Sequence, residues 1–348
     1  MDQVRVAIVG MGIGKSNGRA LAADPRGRVV ALCDIIEDRM AGFAEELPGT
    51  VKQYTDYKQM CRDEEIDAVF VGTPNQWHVP IALEAIRNDK HVLITKPLAD
   101  TLEGASELVE AAESSGLVNM MSLSTRFDSD CQYLGRMQQR GDFGQLYYGR
   151  ARSIRRSQIP DWSLGFIEKG GGAFRDMAVH VLDAAWWLMG RPRPLTVTGV
   201  SGAHFGPRGM GYWDFRVPPT EFYEKFDSDD YGGGFIRFEG DVGLQVESFW
   251  ASHQQKEFQI ELFGTEAGAQ LDPLTIYRTE DNAPQDISVA LPRGKTAWEA
   301  IAAHFIECIL DGVECEAPLR DGLLVQEMME ALLESAEIGR EVAIEPPA

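Results

Sequence analysis

The residues with the most specific chemistry lie near the start of the chain, where glycines follow a short apolar run. Val4–Val9 is predicted to be a buried strand, and Gly10, Gly12 and Gly14 follow it before a helical stretch. Glycines at such a turn let backbone N–H groups approach a pyrophosphate, and the N-terminus of the next helix favours its negative charge. Asp34, twenty residues after Gly14, ends the next apolar run, where a carboxylate can accept hydrogen bonds from a ribose. The pattern predicts a βαβ unit that binds a dinucleotide.

The glycine spacing departs from the common G-x-G-x-x-G at its third position, which is Lys15 here, with Gly14 one residue earlier. The strand, the helix and the acidic residue are all in place, and this context is what the pattern requires. Because the carboxylate of Asp34 would repel a 2′-phosphate, the sequence favours NAD over NADP. The predicted cofactor contacts in this region are Gly10, Gly12, Ile13, Gly14 and Asp34.

Further polar residues follow the predicted strands 68–71 and 91–94. Ligands of parallel α/β sheets bind at the carboxyl ends of strands, so these residues are predicted cofactor contacts. For His78 an alternative is that it only opens the following helix, and for Lys96 that it is a solvated lysine at a strand end. The residues concerned are Thr73, Pro74, Asn75, His78 and Lys96.

A second cluster begins with three glycines, 170–172, and continues into a predicted apolar helix, 173–189. Asp176 and His180 are spaced i,i+4, so both project from one face of this helix. Polar groups in so apolar a helix need partners. They either satisfy each other structurally or form an acid–base pair, or Asp176 caps local backbone groups. Asp183, a third polar residue on the helix, could be purely structural.

The elements that must position these residues change in character along the chain. Up to about residue 122, strand-like runs alternate with helical stretches such as 81–88 and 102–115, which predicts a doubly wound parallel sheet. Later runs look like longer strands in hairpin order, with 235–238 and 244–248 as the clearest pair. Residues 202–231 are predicted to be a long loop or an excursion at the edge of the sheet, and 297–309 and 322–339 to be helices. The predicted strands are 4–9, 29–33, 51–54, 68–71, 91–94, 118–122, 144–153, 195–201, 233–238, 243–250, 258–263 and 270–277.

Composition excludes several classes of protein. The chain has 348 residues, 44% of them hydrophobic and 25% charged, as in an ordinary globular protein of two domains. A net charge of −21 argues against nucleic acid or an anionic membrane as a partner. Five scattered cysteines without a C-x-x-C predict reduced thiols, no disulfide framework and no metal site. With no signal peptide and no long apolar run, we expect a cytoplasmic protein.

Taken together, four stretches resemble the Gfo/Idh/MocA oxidoreductases, the family of glucose–fructose oxidoreductase and inositol dehydrogenase. They are G-M-G-I-G (10–14), T-P-N-x-x-H (73–78), T-K-P-L-A (95–99) and G-G-G-A-F-R-D-M-A-V-H-V-L-D (170–183). Residues 304–312 and 335–342 look like the closing helices of the family. The family's Glu-Lys-Pro corresponds to Thr95-Lys96-Pro97, and its D-x-x-x-H to Asp176 and His180.

The resemblance implies an N-terminal Rossmann domain, 1–122, and a C-terminal α/β domain, 123–348. The second would carry a large, mostly antiparallel open sheet that binds substrate and forms a homodimer or homotetramer. Apolar runs at 235–238 and 249–250 are the predicted interface. The resemblance also implies a cis peptide bond before Pro97.

The implied reaction is the interconversion of a secondary alcohol and a ketone on a sugar, glycoside or cyclitol. His180 is the predicted base, since the ordinary pKa of histidine is about 6.5. Asp176 would orient the imidazole or a substrate hydroxyl, and Lys96 would bind the reacting oxygen. The alternatives are a glycoside-cleaving enzyme that forms a transient ketone with bound NAD, and a non-catalytic NAD-binding sugar sensor. The predicted substrate contacts are Lys96, Arg126, Arg155, Trp162, Asp176 and His180, with Arg156 as a further candidate.

Overall fold

The computed structural model describes residues 2–344, which form two compact units. The first contains the described residues up to Asp128 together with Gly294–Leu324. The second contains Ser129–Arg293 and the described residues from Val325 onwards. The sequence-based boundary at residue 122 lies close to this division, but segment 294–324 belongs to the first unit. The reason is that the helix in this segment packs on the first helix and the first strand of the chain.

The first unit is built on a parallel sheet of six strands, as predicted. Its strand order is β3-β2-β1-β4-β5-β6, which is the doubly wound arrangement. The central strands are apolar and buried on both faces, which is why they read as continuous apolar runs. The strands are β1 Val4–Val9, β2 Gly27–Cys33, β3 Lys52–Tyr54, β4 Ala68–Val71, β5 His91–Ile94 and β6 Asn119–Met121.

Helices connect these strands. The fifth matches its predicted bounds, begins with a Thr101 side-chain cap and ends at Gly116 with a positive φ of 69°. The helices of this part of the chain are α1 Gly14–Ala23, α2 Glu37–Ala44, α3 Tyr57–Cys61, α4 His78–Arg87 and α5 Leu102–Ser115. A later helix of the same unit, α9 Ala297–Asp311, begins with a capping box formed by Thr296 and Glu299.

The second unit contains a mixed sheet of nine strands in the order β14-β13-β12-β11-β7-β10-β9-β8-β15. Neighbouring strands are antiparallel except β7 and β10, so the predicted open, mostly antiparallel sheet is confirmed. The predicted hairpin is present, with Ile236 opposite Leu244. The strands are β7 Leu146–Ile154, β8 Pro194–Gly202, β9 Tyr231–Phe238, β10 Val242–Phe249, β11 Glu257–Gly264, β12 Ala267–Gln270, β13 Thr275–Glu280, β14 Ala283–Ser288 and β15 Val342–Ala343.

One predicted strand of this sheet was wrong. Residues 270–277 form the end of β12, a turn and the start of β13 rather than one strand. The side chain of Gln259 accepts hydrogen bonds from the backbone N–H groups of Leu271 and Asp272, which holds the chain in this turn. A side chain twelve or thirteen residues away in sequence, on a different strand, leaves no periodic signal.

The helices of the second unit include the predicted apolar one, which starts differently from expectation. Phe174–Ala178 is a π-helical turn that continues directly into α7 Val179–Leu188. The predicted long loop contains short 3₁₀ turns and α8 Thr220–Glu224. The remaining helices are α6 Ser129–Gln139 and α10 Leu319–Ile338, the latter with residues of both units. Among the described residues, none of the helices is both long enough and apolar enough to span a membrane.

Candidate functional site: a dinucleotide cradle and an acidic helix turn

The glycine turn after β1 has the form that a bound pyrophosphate requires. Gly10 has a φ of 87°, and a Cβ there would lie 2.4 Å from the carbonyl oxygen of Gly72, so only glycine fits. A Cβ on Gly12 would contact nothing within 4 Å, which leaves an open surface, whereas Gly14 packs closely on Ile8. The first turn of α1 carries no acidic residue and no side-chain cap. This N-terminus therefore retains its attraction for an anion.

Asp34 binds the turn from the end of β2. Its Oδ2 accepts a hydrogen bond from the Met11 backbone N–H (2.7 Å), and its Oδ1 accepts one from Ile36 (3.0 Å). A carboxylate has about four acceptor positions, so these two bonds leave capacity for ribose hydroxyls. Asp34 therefore has two roles: it fixes the glycine turn, and it places a negative charge next to it.

The segment after β4 supplies an unsatisfied polar atom. Among the described residues, the buried Thr73 hydroxyl oxygen has no hydrogen-bond partner. Buried polar atoms are nearly always bonded, so this oxygen fits a group supplied by a ligand. Pro74 and Asn75, which follow it, are exposed. With the open surface at Gly12, the residues present in the first unit fit a dinucleotide.

His78 has a structural position. It is 0% exposed and begins α4, and its two ring nitrogens lie 2.8 Å from the carbonyl oxygens of Thr73 and Pro97. Burial lowers the pKa of His78, while hydrogen bonds to these carbonyl groups oppose the shift. The ring ties the segment after β4 to the segment after β5. Of the two roles considered from the sequence, the geometry favours the structural one.

Lys96 follows β5 within the segment that His78 holds. The lysine is half-buried, and the Lys96–Pro97 peptide bond is cis, as the resemblance implied. Thr95, in place of the family's glutamate, is buried and donates its backbone N–H to the Val71 carbonyl oxygen. The lysine is thus set at the carboxyl end of a buried strand by backbone contacts.

In the second unit, the glycine segment leads into the π-helical turn that carries Asp176. Gly172 has a φ of 109°, and a Cβ there would lie 2.1 Å from the Asp229 carboxylate. Asp229 accepts a hydrogen bond from the Phe174 backbone N–H (2.8 Å), and its carbonyl oxygen accepts one from Ala173 (3.0 Å). Burial raises the pKa of Asp229 to about 6, opposed by the Phe174 bond and the charge of Arg175. Asp229 therefore fixes where the helix begins.

Asp176 and His180 lie on the only part of this helix that solvent reaches. Of residues 173–189, all are buried except Arg175, Asp176 and His180. Arg175 forms an ion pair with Glu330 (2.6 Å). Asp183 is buried, which agrees with the structural role considered for it. Asp176 and His180 are therefore the polar groups of this helix that a solute can reach.

Two neighbours define the surroundings of Asp176. The indole N–H of Trp250 donates to its Oδ2 (3.0 Å), and Arg155 interacts with its charge. Burial lowers the pKa of Arg155, and the negative charge of Asp176 opposes that shift. The guanidinium of Arg155 also lies over the ring of Trp213, 5.9 Å from its centroid. A π-helical turn of this kind is often found at functional sites, because it changes the direction of one side chain within a helix.

Trp162 extends this polar region with an aromatic surface. It is 57% exposed and packs edge-on against Trp213 and Phe166, with ring centroids 5.1 and 5.8 Å apart. Arg156, by contrast, is simply exposed. Arg155 and Trp162 thus remain candidates for substrate contacts.

Arg126 differs from its sequence-based assignment as a substrate contact. It is 0% exposed, and its guanidinium donates to Asp321 (2.7 Å) and to the carbonyl oxygen of Glu316 (2.7 Å). A side chain with no exposed surface cannot touch a solute, so the structure gives Arg126 a structural role in the first unit. Arginines are rarely buried without a partner, and here the carboxylate of Asp321 is that partner.

Comparisons with known proteins agree with this geometry. Residues 4–123 match the model of the "Oxidoreductase family, NAD-binding Rossmann fold", and residues 131–270 match the "GFO/IDH/MocA C-terminal domain". The chain belongs to the Gfo/Idh/MocA family. Its cofactor is therefore NAD, as predicted, and the protein is an NAD-binding oxidoreductase.

Individual relatives cover nearly the whole chain. D-glucoside 3-dehydrogenase of Escherichia coli is 29% identical over 98% of this chain and 97% of its own. Scyllo-inositol 2-dehydrogenase (NAD(+)) of Bacillus subtilis is 26% identical over 89% of this chain and 87% of its own. The structure of a levoglucosan dehydrogenase complex with NADH and levoglucosan superposes with a TM-score of 0.86 at 22% identity, covering 99% of this chain and 100% of that one. At that identity, the structural match shows the fold.

Sequence reasoning missed several positioning residues of this Gfo/Idh/MocA protein. Trp250, Asp229 and Trp213 contact the segment around Asp176 or Arg155, but they lie far from it in sequence. The available signals were weak: Asp229 is one of two acidic residues directly before a strand, and Trp250 directly follows one. Neither feature indicates a partner, because the contacts are long-range.

Proposed function

We propose that this protein is a dehydrogenase that oxidises a secondary alcohol of a sugar, glycoside or cyclitol with NAD⁺, or catalyses the reverse reduction. The observation that carries the proposal is the burial pattern of the Asp176 helix. Its side chains are buried except for an ion-paired arginine, Asp176 and His180. An aspartate and a histidine kept accessible on an otherwise buried helix suit proton transfer.

The bound NAD⁺ would supply the hydride acceptor, held by the glycine turn, Asp34 and Thr73. His180 would take the hydroxyl proton as the general base, because a neutral imidazole accepts a proton near neutral pH. Asp176, held in place by Trp250, would orient the imidazole or the substrate hydroxyl and stabilise the imidazolium. The ammonium of Lys96 would donate to the reacting oxygen and favour the negative charge that develops there.

A polyhydroxylated substrate suits the groups around Asp176. Arg155 offers N–H donors, and Trp162 an exposed ring against which sugar C–H groups can pack. The names of the two relatives above give a glucoside and an inositol as their substrates. This supports the substrate class but does not select one member of it. We propose Lys96 of the first unit, and Arg155, Trp162, Asp176 and His180 of the second, as substrate contacts.

The test is NADH formation by the purified protein with a panel of hexoses, alkyl and aryl glucosides and inositols. His180→Ala should lower kcat by about 10²- to 10⁴-fold, the usual scale for loss of a general base, with NADH affinity nearly unchanged. His253→Ala, which removes an exposed histidine of the same unit, is the matched control and should retain activity. In wild type, kcat/KM for oxidation should rise with pH through the titration of the base, and this dependence should change in His180→Ala.

The two alternatives give different results in the same experiment. A glycoside-cleaving enzyme would release the aglycone while NADH stays bound, so no free NADH would accumulate. A sensor would bind NAD and sugar without turnover. Full activity with an unchanged pH profile in His180→Ala would move the base elsewhere, with Lys96 as the next candidate.

A further inference from the structure

Two cysteines and a histidine that have no role in the proposed reaction come together in the first unit. His304 and Cys308 are spaced i,i+4 on α9, so they share one face of that helix. The helix ends at Gly312, whose φ of 68° reverses the chain, and Cys315 returns towards the same face. The Nε2 atom and the two Sγ atoms all lie within 4.8 Å of one another.

The separations match those of metal ligands. Tetrahedral Zn²⁺ binds imidazole nitrogen at about 2.1 Å and thiolate sulfur at about 2.3 Å, which places two such donor atoms about 3.6 Å apart. The Nε2 of His304 and the Sγ of Cys308 are 3.5 Å apart. His304 and Cys308 are buried while Cys315 is half-buried, so a fourth ligand such as water can approach from the side of Cys315.

Ligand chemistry at the site also suits a soft divalent ion. Thiolate and imidazole together select zinc and related metals over Mg²⁺ or Ca²⁺. Both cysteines would bind as thiolates, so metal binding would release their protons.

A bound ion would replace two existing contacts. The Glu316 backbone N–H donates to Nε2 of His304 (2.9 Å), and the Cys315 thiol donates to the Asn119 carbonyl oxygen (3.6 Å). Both are single hydrogen bonds made by residues outside α9, whereas a bound ion would make three bonds to the cluster.

We propose that His304, Cys308 and Cys315 form a three-ligand site for a soft divalent metal ion, with Zn²⁺ as the expected occupant and a fourth position open to water. The proposal differs from the expectation of no metal site, which rested on the absence of a C-x-x-C. The fold produces the site instead from a helical i,i+4 pair and a returning turn.

The test uses the full-length protein, reduced, stripped of metal by a chelator and titrated with Co²⁺, which reports thiolate ligands by near-ultraviolet charge-transfer absorption. Wild type should bind one ion per chain with this absorption, and Zn²⁺ should displace it. Cys308→Ser and Cys315→Ser should each weaken binding by at least about 100-fold, because loss of even an outer-shell partner costs about 10- to 100-fold. Cys61→Ser, a buried thiol of the same unit outside the cluster, should bind as wild type does.

Three outcomes would overturn the proposal. Absence of the thiolate band in correctly folded wild type would exclude the site, whatever the variants do. Equal binding by wild type and both serine variants would place the metal elsewhere. A Cys308–Cys315 disulfide in protein purified without reductant, with no metal uptake after reduction, would show that the two cysteines form a disulfide and do not bind metal. Circular dichroism of each variant separates lost ligands from lost folding.

Discussion

At the scale of single residues, Asp34 combines a structural and an electrostatic task. Its carboxylate holds the backbone N–H groups of Met11 and Ile36, so the negative charge is fixed beside the glycine turn. A fixed negative charge distinguishes NAD from NADP better than a mobile one, because it cannot move away from the 2′-phosphate of NADP.

We therefore expect NAD(H) to bind more tightly than NADP(H). Asp34→Ala should reduce this difference in affinity. The variant removes the repulsion but also the hydrogen bond that holds Met11 of the glycine turn, so its affinity for NAD should fall as well. Fluorescence titration with both reduced nucleotides measures the ratio of the two Kd values. Asp38→Ala, which removes an exposed carboxylate at the start of α2, is the control and should leave this ratio unchanged. Equal affinity of the wild type for both nucleotides would refute the assignment of Asp34.

Asp229 gives a prediction about pH and stability. Burial raises its pKa to about 6 in the folded protein, against an ordinary value of about 3.9 in the unfolded chain. Between these values the folded state holds a proton that the unfolded state has lost. The contribution of Asp229 to the free energy of unfolding therefore falls as pH rises from about 4 to about 6.

Asp229→Asn removes this titration while keeping an oxygen that can accept from Phe174. The free energy of unfolding of the variant relative to wild type should thus increase with pH across that window, by up to about 1.4 kcal/mol per pH unit. Denaturant unfolding at pH 4, 5, 6 and 7 measures the difference. A difference that does not depend on pH would mean that Asp229 has an ordinary pKa.

At the scale of elements, the π-helical turn at Phe174–Ala178 depends on the glycines before it. Gly170 and Gly172 both have positive φ values, of 93° and 109°. Only at Gly172 would a Cβ also meet another group, the Asp229 carboxylate at 2.1 Å. An alanine at Gly170 would therefore add backbone strain alone, whereas an alanine at Gly172 would add strain and a steric clash.

Gly170→Ala should lower stability by about 1–2 kcal/mol through strain alone. Gly172→Ala should cost more and should also reduce kcat, because it displaces the Asp229 contact that sets the start of the Asp176 helix. NADH affinity, a property of the first unit, should be unchanged in both. Thermal unfolding and steady-state kinetics on the two variants make the comparison. Similar losses of stability and kcat in the two variants would show that the Asp229 carboxylate does not position the helix.

At the scale of the whole molecule, the sheet of the second unit has a face that carries partly exposed aromatic rings. Tyr148 packs against Phe235 and Phe263, with ring centroids 5.9 and 5.6 Å apart, and Arg150 and Arg237 lie over two of these rings. Three residues of the interface expected from the sequence cannot belong to it, because Trp250, Ile236 and Phe238 are buried within the chain. Phe235 and Phe249 remain half-buried.

We expect the protein to form a homodimer or homotetramer through this aromatic face, since covering it buries apolar surface. Phe235→Asp should shift the mass in light scattering towards the monomer. Trp77→Asp, at an exposed aromatic position of the first unit and outside this sheet, should leave the mass unchanged. A wild type that is monomeric at all concentrations would contradict the expectation.

The sequence by itself determined the parallel sheet of the first unit and its cofactor, because both depend on local order. Buried parallel strands, the glycine turn and Asp34 are close in sequence, so their periodicity and spacing predict the structure directly. The helix of Asp176 and His180 was predicted for the same reason, although its π-helical first turn was not. That turn depends on Asp229, which is more than fifty residues away.

Only the tertiary structure decided which polar residues are accessible. It buried Arg126 against Asp321, enclosed His78 between two carbonyl groups and left Thr73 without a partner among the described residues. It also gathered His304, Cys308 and Cys315. Burial and long-range pairing depend on how distant segments pack, and residue type and spacing carry little information about that packing.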